Sequence, residues 1–220
     1  MNPFIRLQAV EKSYGSSHVL RGINLDISTG ERIAIRGASG SGKSTLLYLL
    51  GALERPNKGR VEINGKNLAD QNDEALAQFR NSSVGFVFQF HFLLPSLTAW
   101  GNILLPARIG GHDVAAVEKR AKDLAARLGV SALLEKWPHQ LSGGEQQRIN
   151  ILRALSLNPP LLLCDEPTGN LDSQNSDKVT GLLRELVQEG KNTLIVVTHD
   201  DKVASTFERK IVIEDGQIIR

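Results

Sequence analysis

Gly37-Ala38-Ser39-Gly40-Ser41-Gly42-Lys43-Ser44 fits the pattern G-x-x-x-x-G-K-[ST] in full. The apolar run 33–35 ahead of it reads as a strand, and the Leu-rich stretch 44–53 reads as a buried helix. A glycine-rich turn in that position lets backbone N–H groups curl around an anion, and the helix N-terminus adds positive potential. In such a turn Lys43 reaches the β- and γ-phosphates of a nucleotide, and the Ser44 hydroxyl is a ligand for Mg²⁺. The candidate nucleotide-binding residues are therefore Gly37, Ala38, Ser39, Gly40, Ser41, Gly42, Lys43, Ser44 and the adjoining Thr45. A connection that merely turns the chain would need neither the lysine nor the flanking strand and helix.

The second half of such a site is Leu161-Leu162-Leu163-Cys164-Asp165-Glu166. An apolar strand ending in a carboxylate places charge at the C-terminal edge of a sheet, where ligands of parallel sheets bind. Asp165 is expected to hold Mg²⁺ through water, and Glu166 to act as general base on an attacking water. Kinases, GTPases and helicases share both halves. A guanine reader of the Asn-Lys-x-Asp type is missing from the sequence.

Working outward, residues 4–10 and 19–27 read as strands, with a turn at Thr29-Gly30 and a short strand at 32–36. Asn64-Gly65 after the run 60–63 is a hairpin signal, and Asp73 is expected to cap a helix running to Arg80. Residues 84–88 read as a buried strand. From about 89 to 158 the signals turn helical: Val114, Val117, Ala121, Leu124 and Leu128 share one face before Gly129, and Ser142 opens a helix carrying Ile149, Leu152 and Leu155. Beyond Pro159-Pro160 the alternation returns, with strands at 161–164 and 193–197, a helix at 177–188 and a hairpin at Asp215-Gly216. The expected fold class is α/β, a core of 1–88 and 159–220 interrupted by a helical insertion.

Composition narrows the function. The 26 Lys and Arg nearly balance 24 Asp and Glu, for a net charge of +2 over 220 residues. That balance offers no footprint for nucleic acid and no polybasic membrane tether. Cys164 is the single cysteine, so internal disulfides and cysteine-rich metal clusters are excluded. The apolar runs fall short of the ~20 residues of a membrane span. The opening Met1-Asn2-Pro3-Phe4-Ile5-Arg6 does not read as a secretory signal.

Leu141-Ser142-Gly143-Gly144-Glu145-Gln146-Gln147-Arg148 supplies a second anion-binding turn, with a capping serine, two glycines and a helix behind them. One phosphate loop does not need two such turns, and the economical reading is that this one faces a nucleotide held by another subunit. This motif resembles the signature of ABC-type ATPases, and the resemblance extends over essentially the whole chain. Gln89 matches the family's Q-loop, which contacts Mg²⁺ and the attacking water. Gly169-Asn170-Leu171-Asp172 matches the D-loop, His199 the switch histidine at the γ-phosphate, and Tyr14 the ring stacked on adenine.

The resemblance implies a P-loop NTPase core of mixed, mostly parallel sheet with helices, an N-terminal antiparallel β part and a helical subdomain at about 89–158. It implies ATP and Mg²⁺ as cofactors. Glu166, His199 and Gln89 would be catalytic, and Ser44, Gln89 and Asp165 would serve the metal. Tyr14, Ser142, Gly143, Gly144, Asn170 and Asp172 would join the phosphate loop in holding nucleotide. The implied partners are a second copy in a head-to-tail ATP sandwich and integral membrane permease subunits, with no nucleic acid. The implied place is the cytoplasm, peripheral on the inner face of the membrane.

Gln89-Phe90-His91-Phe92-Leu93-Leu94-Pro95 and Glu166-Pro167-Thr168-Gly169 resemble the subgroup of lipoprotein-releasing and macrolide-efflux ATPases. The chain departs from it at Asn150 and Leu152, where relatives usually carry alanine, at Cys164, where alanine is frequent, and at Trp137, where tyrosine is common. In the apolar segment 90–106, Leu93, Leu94, Leu97, Ile103 and Leu104 are expected to bury, with Phe92 and Trp100 facing a partner. A soluble ABC ATPase acting on ribosomes or DNA, and a small-molecule kinase, are the competing classes. The single motif set without heptads argues against the first, and the second phosphate-facing helix against the second.

Overall fold

The computed structural model describes residues 3–169, 171 and 173–219. The N-terminal apolar alternation folds into antiparallel β1 (Ile5–Tyr14) and β2 (Ser17–Ile27). β1 runs four residues past Val10, bulging at Ala9, where φ is 47° in the left-handed region and the Ala9 N–H donates to Asn24 Oδ1. β3 (Arg32–Arg36) leads through the glycine loop into α1 (Lys43–Leu50). This helix stops three residues short of the expected Leu53, which is exposed. Gly51 caps its end and lies against the Phe86 ring, where only glycine fits: a Cβ there would sit 1.9 Å from Phe86 Cζ.

β4 (Lys58–Ile63) and β5 (Lys66–Asn67) form the hairpin, with Asn64 and Gly65 both at positive φ. α2 (Asp73–Ser83) is capped by Asn72, whose Oδ1 accepts from Ala75 N at 2.9 Å, so the cap is one residue earlier than Asp73. β6 (Val84–Val87) follows. Then come α3 (Ala99–Gly110), α4 (Val114–Arg127) and α5 (Gly143–Leu155). The chain closes with β7 (Leu161–Asp165), α6 (Ser173–Gly190), β8 (Thr193–Val197), α7 (Asp201–Ser205), β9 (Arg209–Glu214) and β10 (Gln217–Ile218). α6 begins four residues ahead of the expected Asp177.

Two sheets result among the described residues, in the orders β2-β1-β4-β5 and β10-β9-β3-β8-β7-β6. The second is parallel from β9 to β6, with β10 antiparallel at its edge. Side chains alternate across it. Ile33, Ile35, Leu161, Leu163, Ile195 and Val197 point into a core shared with α1 and the antiparallel sheet. Ala34, Leu162, Cys164, Leu194 and Val196 point into a second core shared with α4, α5 and α6. The phosphate loop and the ends of β6, β7 and β8 thus meet at one edge of a sheet buried on both faces.

The segment 90–106 divides differently from expectation at two positions. Ile103 and Leu104 are buried, and Leu93 and Leu97 partly so. Leu94 stays exposed because its backbone, not its side chain, is the anchor. Asn102, fully buried, accepts from Leu94 N at 2.7 Å and donates to Leu94 O at 3.1 Å. Trp100 packs against the core with Lys122 Nζ 5.9 Å from its ring, whereas Phe92 is exposed as expected. No described helix is long and apolar enough to cross a membrane.

Candidate functional site

A cavity of about 640 Å³ opens at that sheet edge. Tyr14, Ser39, Gly40, Gly42, Lys43, Ser44, Thr45, Gln89, Asp165, Glu166 and His199 all line it, joined by Val19. The loop's shape depends on Gly37: its φ is 152°, and a Cβ there would lie 2.1 Å from the Ile213 carbonyl oxygen. Lys43 is buried and folds back on its own loop, donating to Gly37 O at 3.0 Å and Ala38 O at 2.8 Å. Ser41 is buried within the turn, its Oγ without a hydrogen-bond partner among the described residues.

Ser44 Oγ donates to Asp165 Oδ1 at 3.0 Å, and Tyr48 Oη donates to Asp165 Oδ2 at 3.3 Å. Burial pushes the Asp165 carboxyl above its ordinary value; the Ser44 and Tyr48 bonds pull it back, and neighbouring Glu166 adds to the rise. The Tyr48 phenol is pushed up by its own burial and by Asp165. Motif reading missed Tyr48, because a Leu-rich helix packed into a core gives no reason to single out one aromatic. The hydroxyl of Ser44 and the carboxylate of Asp165 are hard oxygen donors side by side. They suit Mg²⁺, which takes few protein ligands and fills its octahedron with phosphate oxygens and water. No cluster of three His, Cys, Asp or Glu exists among the described residues, so a denser metal cage is not an alternative there.

Glu166 directly follows β7 with φ at 46°, a left-handed conformation that is costly for a residue with a Cβ. Its N–H donates to Val197 O at 2.9 Å. Its Oε1 accepts from the His199 N–H at 2.9 Å and lies 2.7 Å from His199 Nδ1. Strain and two bonds on one oxygen aim this carboxylate at the cavity.

Ser142, Gly143 and Gly144 lie elsewhere and are not among the residues lining the cavity. Ser142 caps α5 in a capping box: its Oγ accepts from Glu145 N, while its N–H donates to Glu145 Oε2 at 2.8 Å. The bonds from Ser142, backbone first, hold the Glu145 carboxyl below its ordinary value. Asn170 and Asp172 lie outside the described residues. α5 also carries Gln147, Asn150 and Arg153, whose side chains reach the backbone on either side of Gln89 and after Glu166.

A family model described as "ABC transporter" matches residues 20–169. The chain belongs to the ABC transporter family. Among ABC relatives, the lipoprotein-releasing system ATP-binding protein LolD of Cytophaga hutchinsonii is 44% identical, covering all of both chains. Macrolide export ATP-binding/permease protein MacB of Nitrobacter winogradskyi is 44% identical over 99% of this chain and 34% of its own length. A solved dimeric ATP-binding cassette in a post-hydrolysis state, bound to ADP and Pi, superposes with a TM-score of 0.90 at 40% identity. That match covers 98% of this chain and 97% of that one. The ABC cassette fold is the fold described above.

Proposed function

We propose that this chain is the ATP-hydrolysing subunit of an ABC transporter for lipoprotein release. The convergence of Lys43, Ser44, Gln89, Asp165, Glu166 and His199 on one cavity carries the reading. Identity of 44% along the full length of a lipoprotein-releasing relative supports the cargo class. Equal identity to a macrolide exporter favours efflux as the second reading.

Lys43 exchanges its loop carbonyls for the β- and γ-phosphates, Tyr14 stacks on the base, and the loop N–H groups hold the phosphate chain. Ser44 and Asp165, with Gln89 nearby, would hold Mg²⁺, which would supply positive charge to offset that of the phosphates. Glu166 takes the proton of the attacking water, and His199 orients Glu166 through Nδ1, leaving Nε2 for the γ-phosphate. Ser142, Gly143 and Gly144, with Asn170 and Asp172, serve the nucleotide of a second copy. Two sites therefore form between two chains. Residues 89–158 act as the helical part and 1–88 with 159–220 as the core. Separate permease subunits hold the pair at the inner membrane face.

Purified chain should hydrolyse MgATP. Glu166→Gln should abolish turnover and accumulate an ATP-bound dimer on size exclusion. Undiminished turnover in that variant removes Glu166 from its role. Co-purification with a permease, and lipoprotein release by the reconstituted complex, test the cargo; release of a macrolide instead selects the second reading.

A further inference from the structure

The interior of α5 holds a polar row that the roles above leave unused. Gln147, Asn150 and Arg153 are spaced at i, i+3 and i+6 and share one helix face. Gln147 and Asn150 are 2% and 0% exposed. Polar side chains buried to that degree cost free energy unless bonded, and here each residue of the row bonds a loop of the candidate site as well as its neighbour in the row.

Asn150 Nδ2 donates to Phe88 O at 3.1 Å and to Gln147 Oε1 at 3.3 Å. Gln147 Nε2 donates to Pro167 O at 2.6 Å. Arg153 donates through Nη2 to His91 O and to Asn150 Oδ1, at 2.8 and 2.9 Å, and through Nη1 to Phe92 O at 2.8 Å. No carboxylate among the described residues pairs with Arg153. Burial lowers its guanidinium to about 10, and carbonyl oxygens alone receive its charge.

The geometry has a direct mechanical meaning. Phe88 O and the Gln89 N–H belong to one planar peptide, so holding the oxygen sets the direction in which the chain enters Gln89. On the far side, Arg153 holds the carbonyls of His91 and Phe92. Only Gln89 and Phe90 lie between the two clamps. Through Gln147, the same face also holds the carbonyl of Pro167, next to Glu166.

We propose that Asn150 is a positioning residue for Gln89, fixing its backbone to the helix that begins at Ser142, with Gln147 tying the Glu166 loop to the same row. This rests on the ATPase reading above, in which Gln89 serves the metal and the attacking water.

The test is steady-state MgATP hydrolysis by the full chain as wild type, Asn150→Ala, Gln89→Ala and the double variant. N150A should lower kcat about threefold to tenfold, the rate equivalent of one net hydrogen bond. KM for ATP should stay within about twofold, since the phosphate loop is untouched. In the Gln89→Ala background the same change should cost less than about twofold, because the residue it positions is gone. Asn150→Ser, which keeps a donor, should recover part of the rate. N150A at the wild-type rate, or slowing Q89A by the factor it slows wild type, overturns the positioning role and leaves hydrolysis standing. A wild-type chain that does not hydrolyse MgATP overturns the ATPase reading, and the proposal with it. If N150A loses its fold by circular dichroism, Asn150→Leu, of nearly the same shape, carries the same cycle.

Discussion

His199 meets Glu166 twice, through its backbone N–H at 2.9 Å and its ring Nδ1 at 2.7 Å, both on Oε1. An ionised carboxylate only accepts, so Nδ1 carries the proton in that pairing. The two ring nitrogens then have separate tasks, and amide substitutions can separate them. His199→Asn places its amide near the Nδ1 position and keeps a partner for Glu166; His199→Gln reaches toward Nε2. Each should lower kcat about tenfold to a hundredfold, and His199→Asn loses the γ-phosphate task while keeping the Glu166 task. Single-turnover and ATP-binding measurements on the two variants check this: equal binding with unequal turnover is the expected pattern.

Asp165 is a cost to the nucleotide-free fold. Its folded carboxyl titrates above the unfolded value because it is buried, so the folded state binds the proton more readily. The ionised group therefore destabilises at neutral pH, and the penalty fades as pH falls through the raised folded value and is gone below the unfolded value of about 3.9. Asp165→Asn should raise Tm at pH 7, with the gain shrinking toward pH 4, while hydrolysis is lost. Thermal melts across that range decide it.

Two loop glycines should separate strain from collision. Gly40 has φ of 79° with open space around its missing Cβ, and Gly37 adds a 2.1 Å collision with Ile213 O. Gly40→Ala should cost about 1 kcal/mol of stability. Gly37→Ala should cost about 2–4 kcal/mol, because β9 must move. Chemical denaturation of both, followed by ATP binding, checks the difference.

Glu145 sets a carboxylate at the helix start that is proposed to meet a partner's γ-phosphate. Glu145→Gln keeps the capping partner and removes the repulsion. ATP-driven dimerisation of a hydrolysis-blocked chain should need about twofold to fivefold less ATP, and the gain should shrink at high salt. Light scattering during an ATP titration reads it.

The site was legible where the motif was contiguous. β3 and β8 have the boundaries read from their apolar runs, and Tyr14, Ser39, Gly40, Gly42, Lys43, Ser44, Thr45, Gln89, Asp165, Glu166 and His199 line one cavity, whereas Gly37, Ala38, Ser41 and the described residues of the signature turn do not. What escaped depends on partners distant in sequence. Gly51 at the end of α1 has no room for a side chain because Phe86 lies against it, and no local signal says so. Asn150 stood out as a departure from alanine, but its acceptor, Phe88 O, is 62 residues away. Tyr48 gains meaning only when β7 brings Asp165 beneath it.

The separation of Ser142 from the cavity has a genetic consequence. A chain damaged at Lys43 still offers a sound α5 turn, and a chain damaged at Gly144 still offers a sound phosphate loop. Mixed in one cell, and paired head to tail as proposed, the two inactive alleles would assemble heterodimers with one doubly broken site and one wholly intact site. Two null mutations of this gene should then complement each other when they fall on opposite halves, and fail to do so when they fall on the same half.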